Sequence, residues 1–231
     1  MKSLSVLFPL LNLFFATPVR AQNALQIMES VRQVAVLQGD QTLIGRIRDG
    51  VRRIPLTLFL RNNNLQFALD EGAERFHLRL NAGGQDLFEI VNGKTQPFPP
   101  NKISQAIRGT DVSYEDLALK FLYWPNPKLI GKQKLNGQDC WRIHLVNPEK
   151  TGRYREVSVW VTMKQRALIR VVGYGPRPKV EPLKQFEITS VMKVNSLFTV
   201  KTMKVTSFEK KRVQGTTYIE FDKPKARPKA N

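Results

Sequence analysis

Cysteine and histidine are scarce in this sequence. Its 231 residues include one cysteine, Cys140, and two histidines, His77 and His144. A single cysteine excludes an internal disulfide, so a hydrophobic core must hold the fold together. His77 lies far in sequence from Cys140 and His144, which argues against a zinc site of histidine and cysteine ligands. The composition therefore predicts no metal and no cofactor.

Recognisable catalytic motifs are also missing. The sequence has no G-x-S-x-G nucleophile elbow, no H-E-x-x-H zinc motif and no P-loop. His77 and His144 alternate with arginines in strand-like segments, which is typical of solvated outer-face side chains rather than of catalytic bases. Cys140, between Asp139 and Trp141, is typical of a small semi-buried filler. The sequence therefore predicts a protein that is not an enzyme, with a carboxylate-based envelope hydrolase as the weakest alternative.

Acidic residues are few for a chain of this length. There are 19 of them against 37 basic residues, a net charge of +18. Without Lys2 and Arg20, which belong to a predicted signal peptide, 35 basic residues remain and the net charge is +16. Such a charge favours anionic partners: phospholipid headgroups, lipopolysaccharide or nucleic acid, the last being the least favoured for an exported protein. The alternative is that the charge is spread over the surface for solvation alone.

No hydrophobic run reaches the ~20 residues that a membrane-spanning helix needs. The longest, residues 4–15, is interrupted by polar residues and proline, follows Lys2, and precedes Val19 and Ala21 at cleavage-site spacing. This pattern predicts a Sec signal peptide over residues 1–21, cleaved after Ala21, and hence a periplasmic protein. The alternative is a buried N-terminal helix. Residues 223–231, KPKARPKAN, predict a basic disordered tail. Residues 22–222 remain as a single domain.

What is present is mostly strand pattern. After one helical segment at residues 22–38, apolar residues alternate with polar ones in four segments, at residues 56–61, 65–70, 76–80 and 86–91, with turn residues between them. Alternating strands joined by tight turns predict an antiparallel meander with one dry face. Residues 92–101 are proline-rich and predict an irregular segment.

The middle of the chain breaks this pattern. Ser113 and Asp116 have the spacing of a capping box. They predict a short helix that carries Leu117, Leu119 and Phe121, and that ends at the prolines 125 and 127. Residues 121–124, Phe-Leu-Tyr-Trp, suit neither a solvated loop nor a one-sided helix. Strand patterns then resume around a turn at Asn136-Gly137 and continue to residue 221, which makes about eleven or twelve strands in all.

Several stretches in the second half resemble a known family. FLYW at 121–124, Gly131, LNGQDCWRIHL at 135–145, EVSVWV at 156–161 and a long basic hairpin after them resemble the outer-membrane lipoprotein-sorting proteins. These belong to the superfamily of the periplasmic lipoprotein carrier (LolA-like). The resemblance is strongest over residues 121–221, whereas the N-terminal half matches in layout. It implies a mostly β fold: an unclosed antiparallel β-barrel of about eleven strands, curled around helices that cover or plug an apolar cavity for lipid.

The residue pattern agrees with this architecture, because a barrel of more than eight strands is too wide for its own side chains to fill. We expect the inward-facing rows to line a cavity, and the predicted lipid-binding residues are Leu65, Phe67, Leu69, Phe76, Leu78, Leu80, Trp141, Ile143, Leu145, Val157, Val159 and Val161. The predicted lid over the cavity consists of Leu117, Phe121, Leu122, Tyr123 and Trp124. Basic residues predicted at the rim, to meet anionic headgroups, are Lys128, Lys132, Lys134, Arg153 and Arg155. The alternative is that these apolar rows only fill a solid core.

Two functions remain open on these grounds. The leading hypothesis is a periplasmic carrier or binding protein whose partners are the acyl chains of a lipid or lipoprotein. The alternative is a cell-envelope scaffold that docks on an anionic membrane or a membrane-protein complex and has no ligand cavity.

Overall fold

The computed structural model describes residues 23–36, 40–81, 84–149, 151–176, 181–194 and 197–224. The predicted signal peptide and residues 225–231 of the predicted tail lie outside the described residues. Neither described helix has the length and apolar character needed to cross a membrane.

The described chain consists of two α-helices and thirteen strands, with three short 3-10 turns. The helices are α1 (Ala24–Val36) and α2 (Tyr114–Ala118). The first strands are β1 (Gln41–Asp49), β2 (Arg52–Arg61), β3 (Asn64–Leu69), β4 (Glu74–Asn81), β5 (Gly84–Val91) and β6 (Lys94–Pro97). The later strands are β7 (Lys128–Leu135), β8 (Gln138–Val146), β9 (Glu156–Thr162), β10 (Leu168–Tyr174), β11 (Pro182–Val194), β12 (Leu197–Glu209) and β13 (Arg212–Phe221). The 3-10 turns are Asp70–Gly72, Ile107–Gly109 and Lys120–Tyr123.

All thirteen strands form one antiparallel sheet, in the order β6-β5-β4-β3-β2-β1-β13-β12-β11-β10-β9-β8-β7. Every neighbouring pair is consecutive in the chain except β1 and β13, which join the two meanders at the middle of the sheet. The edges β6 and β7 do not pair, so the sheet is not closed. The predicted class, an unclosed antiparallel barrel with few helices, is confirmed, and the strand count is larger than the predicted eleven.

Strand registers put the predicted apolar rows on one face. Leu58 of β2 stands opposite Phe67 of β3, which stands opposite Phe76 of β4. The Phe67 and Phe76 rings stack with their centroids 4.8 Å apart. In the other meander, Ile143 of β8 stands opposite Val159 of β9. A shift of one residue would turn any of these rows to the other face, so the alternation fixes the register.

Two local features let the sheet form. At the β7–β8 turn, Asn136 and Gly137 both have positive φ, of 49° and 78°, which is the backbone that a two-residue hairpin needs. At the joint of the two meanders, Gly45 of β1 stands opposite Phe221 of β13. A Cβ at position 45 would collide with the carbonyl oxygen of Glu220, so glycine allows these two strands to pair.

Two predicted boundaries are wrong. The segment 92–101, predicted as irregular, contains the edge strand β6, which ends at Pro97, where the missing N–H suits an edge. The predicted helix through Phe121 ends instead at Ala118, because Leu119 adopts the left-handed conformation (φ 52°, ψ 33°), and a 3-10 turn follows it. The helix therefore stops before the prolines that were expected to end it.

The concave face of the sheet holds one hydrophobic core. It unites side chains from strands of both meanders with Ile27 and Met28 of α1 and with Val112 and Phe121 from the connection between β6 and β7. A sheet whose distant strands share one core must curl around it, and α1 and this connection lie inside the curl. A smaller apolar cluster around Cys140 and Trp160 lies on the convex face.

Candidate functional site

The connection between β6 and β7, residues 98–127, is called the crossing segment here. Its ends belong to opposite edges of the sheet, so it must pass from one edge to the other. Ile107, Val112 and Ala118 along it are at most 2% exposed and belong to the main core. The crossing segment therefore runs across the concave face as the inner layer of the fold.

A full capping box begins helix α2 within this segment. The backbone N–H of Asp116 donates to Ser113 Oγ (3.4 Å), and the backbone N–H of Ser113 donates to Asp116 Oδ2 (2.7 Å). The sequence predicted this box, and it satisfies N–H groups that would otherwise be unpaired in a buried place. The box orients the short helix that carries Leu117 toward the sheet.

Asp116 also ties the crossing segment to the sheet through an ion pair. Lys184 Nζ of β11 donates to Asp116 Oδ2 at 2.5 Å, and the Tyr154 hydroxyl donates to Asp116 Oδ1 at 2.6 Å. Both charged side chains are at most 5% exposed. Burial and the neighbouring Asp116 raise the pKa of Tyr154 well above its ordinary value, so its hydroxyl stays a donor. The three side chains form a closed buried polar network.

Two further groups hold the crossing segment at other points. Asp111 accepts from the hydroxyls of Ser207 (2.5 Å) and Thr217 (3.2 Å), on β12 and β13. The Tyr114 hydroxyl donates to Glu74 of β4 at 2.5 Å, and Lys102 Nζ lies 2.8 Å from the same carboxylate.

The ionisation of Glu74 reflects these partners. Burial alone would raise its pKa, but the hydrogen bonds from Lys102 and Tyr114 hold the pKa below the ordinary value. The carboxylate is therefore charged at neutral pH, and the first meander is bound to the crossing segment through it.

Helix α1 packs beside the crossing segment. Its residues Ala24, Ile27, Met28 and Val31 are buried in the core. The guanidinium Nε of Arg32 donates to the carbonyl oxygen of Leu122 at 2.8 Å, and its Cζ lies 5.1 Å from the centre of the Tyr123 ring. The helix and the segment therefore meet at the 3-10 turn.

An apolar cavity of about 190 Å³ remains between helix α2 and the sheet. We call it the inner cavity. Its walls come from strands β1, β2, β3, β11, β12 and β13 and from the crossing segment, and nearly all lining atoms are carbon. The lining residues are Leu43, Leu56, Leu58, Leu60, Leu65, Phe67, Asp116, Leu117, Leu119, Phe186, Thr199, Val200, Met203, Ile219 and Phe221.

A second apolar cavity, of about 230 Å³, lies toward the β11–β12 hairpin and is called the hairpin cavity. Val31 of α1 and Leu122 of the crossing segment form one wall, and strands β10 to β12 with the turn before β10 form the rest. Two of its lining residues, Val191 and Phe198, are 54% and 70% exposed. This cavity therefore opens to solvent beside the hairpin.

The two apolar cavities adjoin each other. They share five lining residues, which form the neck between them: Leu119, Phe186, Thr199, Val200 and Met203. Each cavity alone is below the ~300 Å³ at which small-molecule pockets usually begin, and only the two together exceed it. A ligand of ordinary size that entered this apolar space would therefore occupy both cavities and the neck between them.

A third cavity, of about 380 Å³, has a lining that is apolar in larger part but includes several charged and polar side chains, and it is called the polar cavity to distinguish it from the other two. Glu115 faces it and accepts from the backbone N–H of Arg153 at 3.1 Å. Burial raises the pKa of Glu115, and the nearby Asp116 raises it further, against the effect of that hydrogen bond. Lys120 and Glu149, which also line this cavity, form a salt bridge of 2.8 Å.

The predicted lipid-binding residues divide into two groups. Leu65 and Phe67 line the inner cavity. The other ten are buried on the concave side of the sheet without lining either apolar cavity: Leu69, Phe76, Leu78, Leu80, Trp141, Ile143, Leu145, Val157, Val159 and Val161. The second group packs as core, so the hollow lies under β1–β3 and β10–β13 rather than under β8 and β9.

The predicted lid residues also separate. Leu117 lines the inner cavity and Leu122 lines the hairpin cavity. Phe121 and Trp124 are buried beside the polar cavity, and Tyr123 is half-buried against Arg32. The Phe-Leu-Tyr-Trp run thus lies inside the curled sheet, between the apolar and polar cavities.

The remaining sequence candidates are not among the lining residues of the three cavities and lie on the convex face, on the edge strand β7 or in the loop between β8 and β9. His77 stacks on Phe88, and burial lowers its pKa. Burial raises the pKa of the Cys140 thiol, which opposes a reactive thiolate. Of the predicted rim residues, Lys128, Lys132 and Lys134 are exposed on the edge strand β7, Arg153 is exposed, and Arg155 donates to the carbonyl of Glu149. The described residues contain no group of three metal-ligating side chains.

Sequence reasoning missed the C-terminal wall of the apolar cavities. The signal was present, because Phe186, Met203 and Ile219 lie on alternating apolar rows of β11, β12 and β13. These rows are weaker than those of β8 and β9, since lysine and threonine residues interrupt them. What the sequence did not reveal is which rows the crossing segment leaves uncovered.

Comparisons with known proteins agree with this architecture. A protein-family model with the description "Uncharacterized protein" matches residues 92–230, which is more than half of the chain. No curated protein matches the sequence. Among solved structures, the chain is similar to a putative outer membrane lipoprotein-sorting protein domain from Vibrio parahaemolyticus (TM-score 0.68, 15% identity, 86% of this chain and 90% of that one).

Two further structures have a similar fold. A DUF1329 family protein from Desulfovibrio piger superposes with a TM-score of 0.66 at 16% identity, covering 86% of this chain and 89% of that one. A LolA superfamily protein from Nitrosomonas europaea superposes with a TM-score of 0.64 at 16% identity, covering 90% and 95% of the two chains. The chain belongs to the family of the matching model, and its fold is that of the LolA-like proteins.

Proposed function

We propose that this protein is a non-enzymatic binding or carrier protein for the acyl chains of a lipid or lipoprotein, and that it acts in the periplasm. The observation that carries the proposal is the pair of adjoining apolar cavities, one of which opens to solvent beside Val191 and Phe198. The export signal over residues 1–21, the single domain over residues 22–222 and the basic tail are parts of the same proposal. The lipoprotein-sorting description of one structural neighbour supports it.

The chemistry of the cavities suits a hydrocarbon chain. Each buried methylene contributes about 0.8 kcal/mol, so a chain that occupies both cavities is held without any specific polar contact. Two polar side chains line the inner cavity: Asp116, whose carboxylate already accepts from Lys184, Tyr154 and the Ser113 N–H, and Thr199, whose hydroxyl donates to Gln41 Oε1 at 3.5 Å. A polar ligand would find few partners there, whereas an acyl chain needs none.

The predicted lid has a defined part in this proposal. Leu117, Leu119 and Leu122 of the crossing segment form the inner wall over which an acyl chain would lie. Of the predicted lipid-binding residues, Leu65 and Phe67 would contact the chain, and the rest would support the sheet behind it.

The test is a substitution that fills the neck. Val200 lines both cavities, so Val200→Trp places a large side chain in the passage that they share. Delipidated protein is titrated with a fluorescent fatty acid, and the variant is expected to bind it at least about tenfold more weakly than the unaltered protein, because the chain loses methylenes worth ~0.8 kcal/mol each. The matched control is Val213→Trp, at a 61% exposed site on β13, which should bind as the unaltered protein does.

Thermal unfolding of both variants separates loss of the cavity from loss of the fold. A Val200→Trp variant that melts near the unaltered protein and fails to bind fatty acid supports the proposal. Undiminished binding by this variant would contradict it. Protein isolated from a bacterial periplasm should also carry acyl-containing ligand in native mass spectrometry. If neither fatty acids nor lipopeptides bind the unaltered protein, a docking module without a ligand is the better assignment.

A further inference from the structure

The β11–β12 hairpin exposes large apolar side chains at its tip. Val191, Leu197 and Phe198 are 54%, 39% and 70% exposed, and these three residues are called the hairpin tip here. Leu197 stands opposite Val194, and Phe198 stands opposite Lys193. Scattered exposed apolar residues need no explanation, but three on one short hairpin, including a phenylalanine, mark a contact surface.

The hairpin tip lies where the apolar interior meets solvent. Val191 and Phe198 form part of the wall of the hairpin cavity, which continues through the neck to the inner cavity. Pairing between β10 and β11 begins only at Arg170 and Glu187, so β11 from Ile188 onward has no β10 partner. The cavity opens at this gap. A surface that covered the hairpin tip would therefore cover the opening as well.

Cations predominate around the tip, and Glu187, the acidic side chain that lines the hairpin cavity, is paired with Arg170. Residues 188–204, which span the hairpin, contain Lys193, Lys201 and Lys204 and no acidic residue. Because β10 is antiparallel to β11, the β9–β10 turn lies at the same end of the sheet, and it adds Lys164 and Arg166. Arg166 lines the hairpin cavity. Apolar side chains surrounded by cations complement a surface with anionic headgroups above hydrocarbon, where each cation contributes favourably.

We propose that the hairpin tip docks on an anionic phospholipid surface and places the opening of the hairpin cavity against it. This inference rests on the proposed function, because it names the surface with which the cavity exchanges its acyl chain. Phe198 and Val191 enter the headgroup region, the lysines meet phosphate groups, and the gap between β10 and β11 faces the membrane.

The test uses a fluorescent label at the tip. Cys140 is fully buried, so an environment-sensitive thiol dye attached to a Leu197→Cys variant reports the hairpin tip while Phe198 stays in place. Vesicles that contain phosphatidylglycerol are expected to shift the dye emission to the blue and raise its intensity. The matched control is the same dye on Val51→Cys, a 94% exposed site in the β1–β2 turn at the opposite end of the sheet, where no change is expected.

Affinity gives an independent readout. In vesicle co-sedimentation, Phe198→Ser is expected to weaken the affinity for vesicles by about tenfold or more, because burial of a phenylalanine side chain in an apolar environment raises affinity by about that factor. The control Val51→Ser should leave the affinity unchanged. Binding should also weaken in high salt. Equal dye responses at positions 197 and 51, or equal binding to phosphatidylcholine vesicles, would overturn the proposal. A tip response that depends on protein concentration without vesicles would show a second copy on the tip and would overturn it too.

The two proposals fail in different ways. If the fatty acid binds but the tip label ignores vesicles, the docking surface is wrong and the cavity proposal stands. If the tip responds to anionic vesicles but the fatty-acid titration shows no binding, the docking surface stands and the acyl-binding proposal fails.

Discussion

Lys184 and Asp116 show how one buried contact holds the inner layer to the sheet. Their side chains are 5% and 1% exposed and lie 2.5 Å apart. Removing water from two charges is costly, and their attraction offsets that cost only while both are present. Neither residue was singled out for this role from sequence, because a lysine in a strand is usually a surface residue.

We predict that Lys184→Met destabilises the protein by about 3 kcal/mol, because it leaves the Asp116 carboxylate buried without its cation. The measurement is the free energy of unfolding in urea at neutral pH. The control Lys201→Met, at an exposed site on β12, should change the free energy by about 0.5 kcal/mol or less. If both variants lose the same free energy of unfolding, the buried ion pair makes no specific contribution to stability.

At the scale of elements, helix α2 meets the loop between β8 and β9 through Glu115. This carboxyl accepts from the Arg153 backbone N–H, and burial raises its pKa. A raised pKa in the folded state means that the protonated form fits the fold better. Its contribution to stability is therefore fully present below the ordinary glutamate pKa of 4.5 and is lost as the pH rises through the raised value.

We predict that Glu115→Gln becomes progressively more stable than the unaltered protein as the pH rises above about 4.5, because glutamine removes the cost of a buried charge and keeps an acceptor for Arg153. Urea unfolding at a series of pH values measures this difference. Glu149→Gln is the control of opposite sign: the hydrogen bond from Lys120 lowers the pKa of Glu149, so this variant should gain nothing at neutral pH. A constant difference for Glu115→Gln across the pH series would refute the assignment.

The individual strands and helices show which features of the fold could be predicted from the sequence. Alternation with period two is a local property, so it correctly placed the apolar rows of β3, β4, β8 and β9 on one face. The capping box at Ser113 was equally local, and it was confirmed. The end of α2 could not be predicted from local sequence, because Leu119 ends the helix at φ 52°, a conformation that is unfavourable for leucine by itself.

The position of the hollow depends on long-range packing. The crossing segment fills the concave side under β8 and β9 and leaves space under β1–β3 and β10–β13. Nothing in the alternation of a strand tells how deeply a separate segment will pack against it. The residues predicted to bind lipid therefore lie on the concave face, and most of them lie in its filled part.

At the scale of the whole molecule, an unclosed sheet has two edges whose backbone groups are free to pair with another chain. The β6 edge is four residues long and ends in Pro97. The β7 edge is eight residues long and carries Lys128, Lys132 and Lys134, all exposed. Lysines on an edge strand oppose pairing between molecules, which gives these residues a role besides the predicted contact with headgroups.

We predict that changing these three lysines to threonine promotes self-association, because it removes the charge repulsion and leaves a strand-forming edge. Light scattering coupled to size-exclusion chromatography should show larger species as the protein concentration rises. The control changes three exposed lysines outside the edge strands, Lys164, Lys201 and Lys223, to threonine, which alters the net charge equally. If both triple variants associate to the same extent, the self-association is caused by the change in net charge alone and the proposed role of the edge lysines is wrong.

The pairing of β1 with β13 has a consequence for the order of events during synthesis. Gly45 and Phe221 are partners although 175 residues separate them in the chain, so the strand pair that joins the two meanders includes the final strand. Each half can assemble from neighbouring hairpins as it emerges, but the two cannot be joined until the carboxyl-terminal strand has been made. The two meanders therefore remain unlinked until synthesis of the last strand, and the continuous thirteen-stranded sheet is a late product of folding.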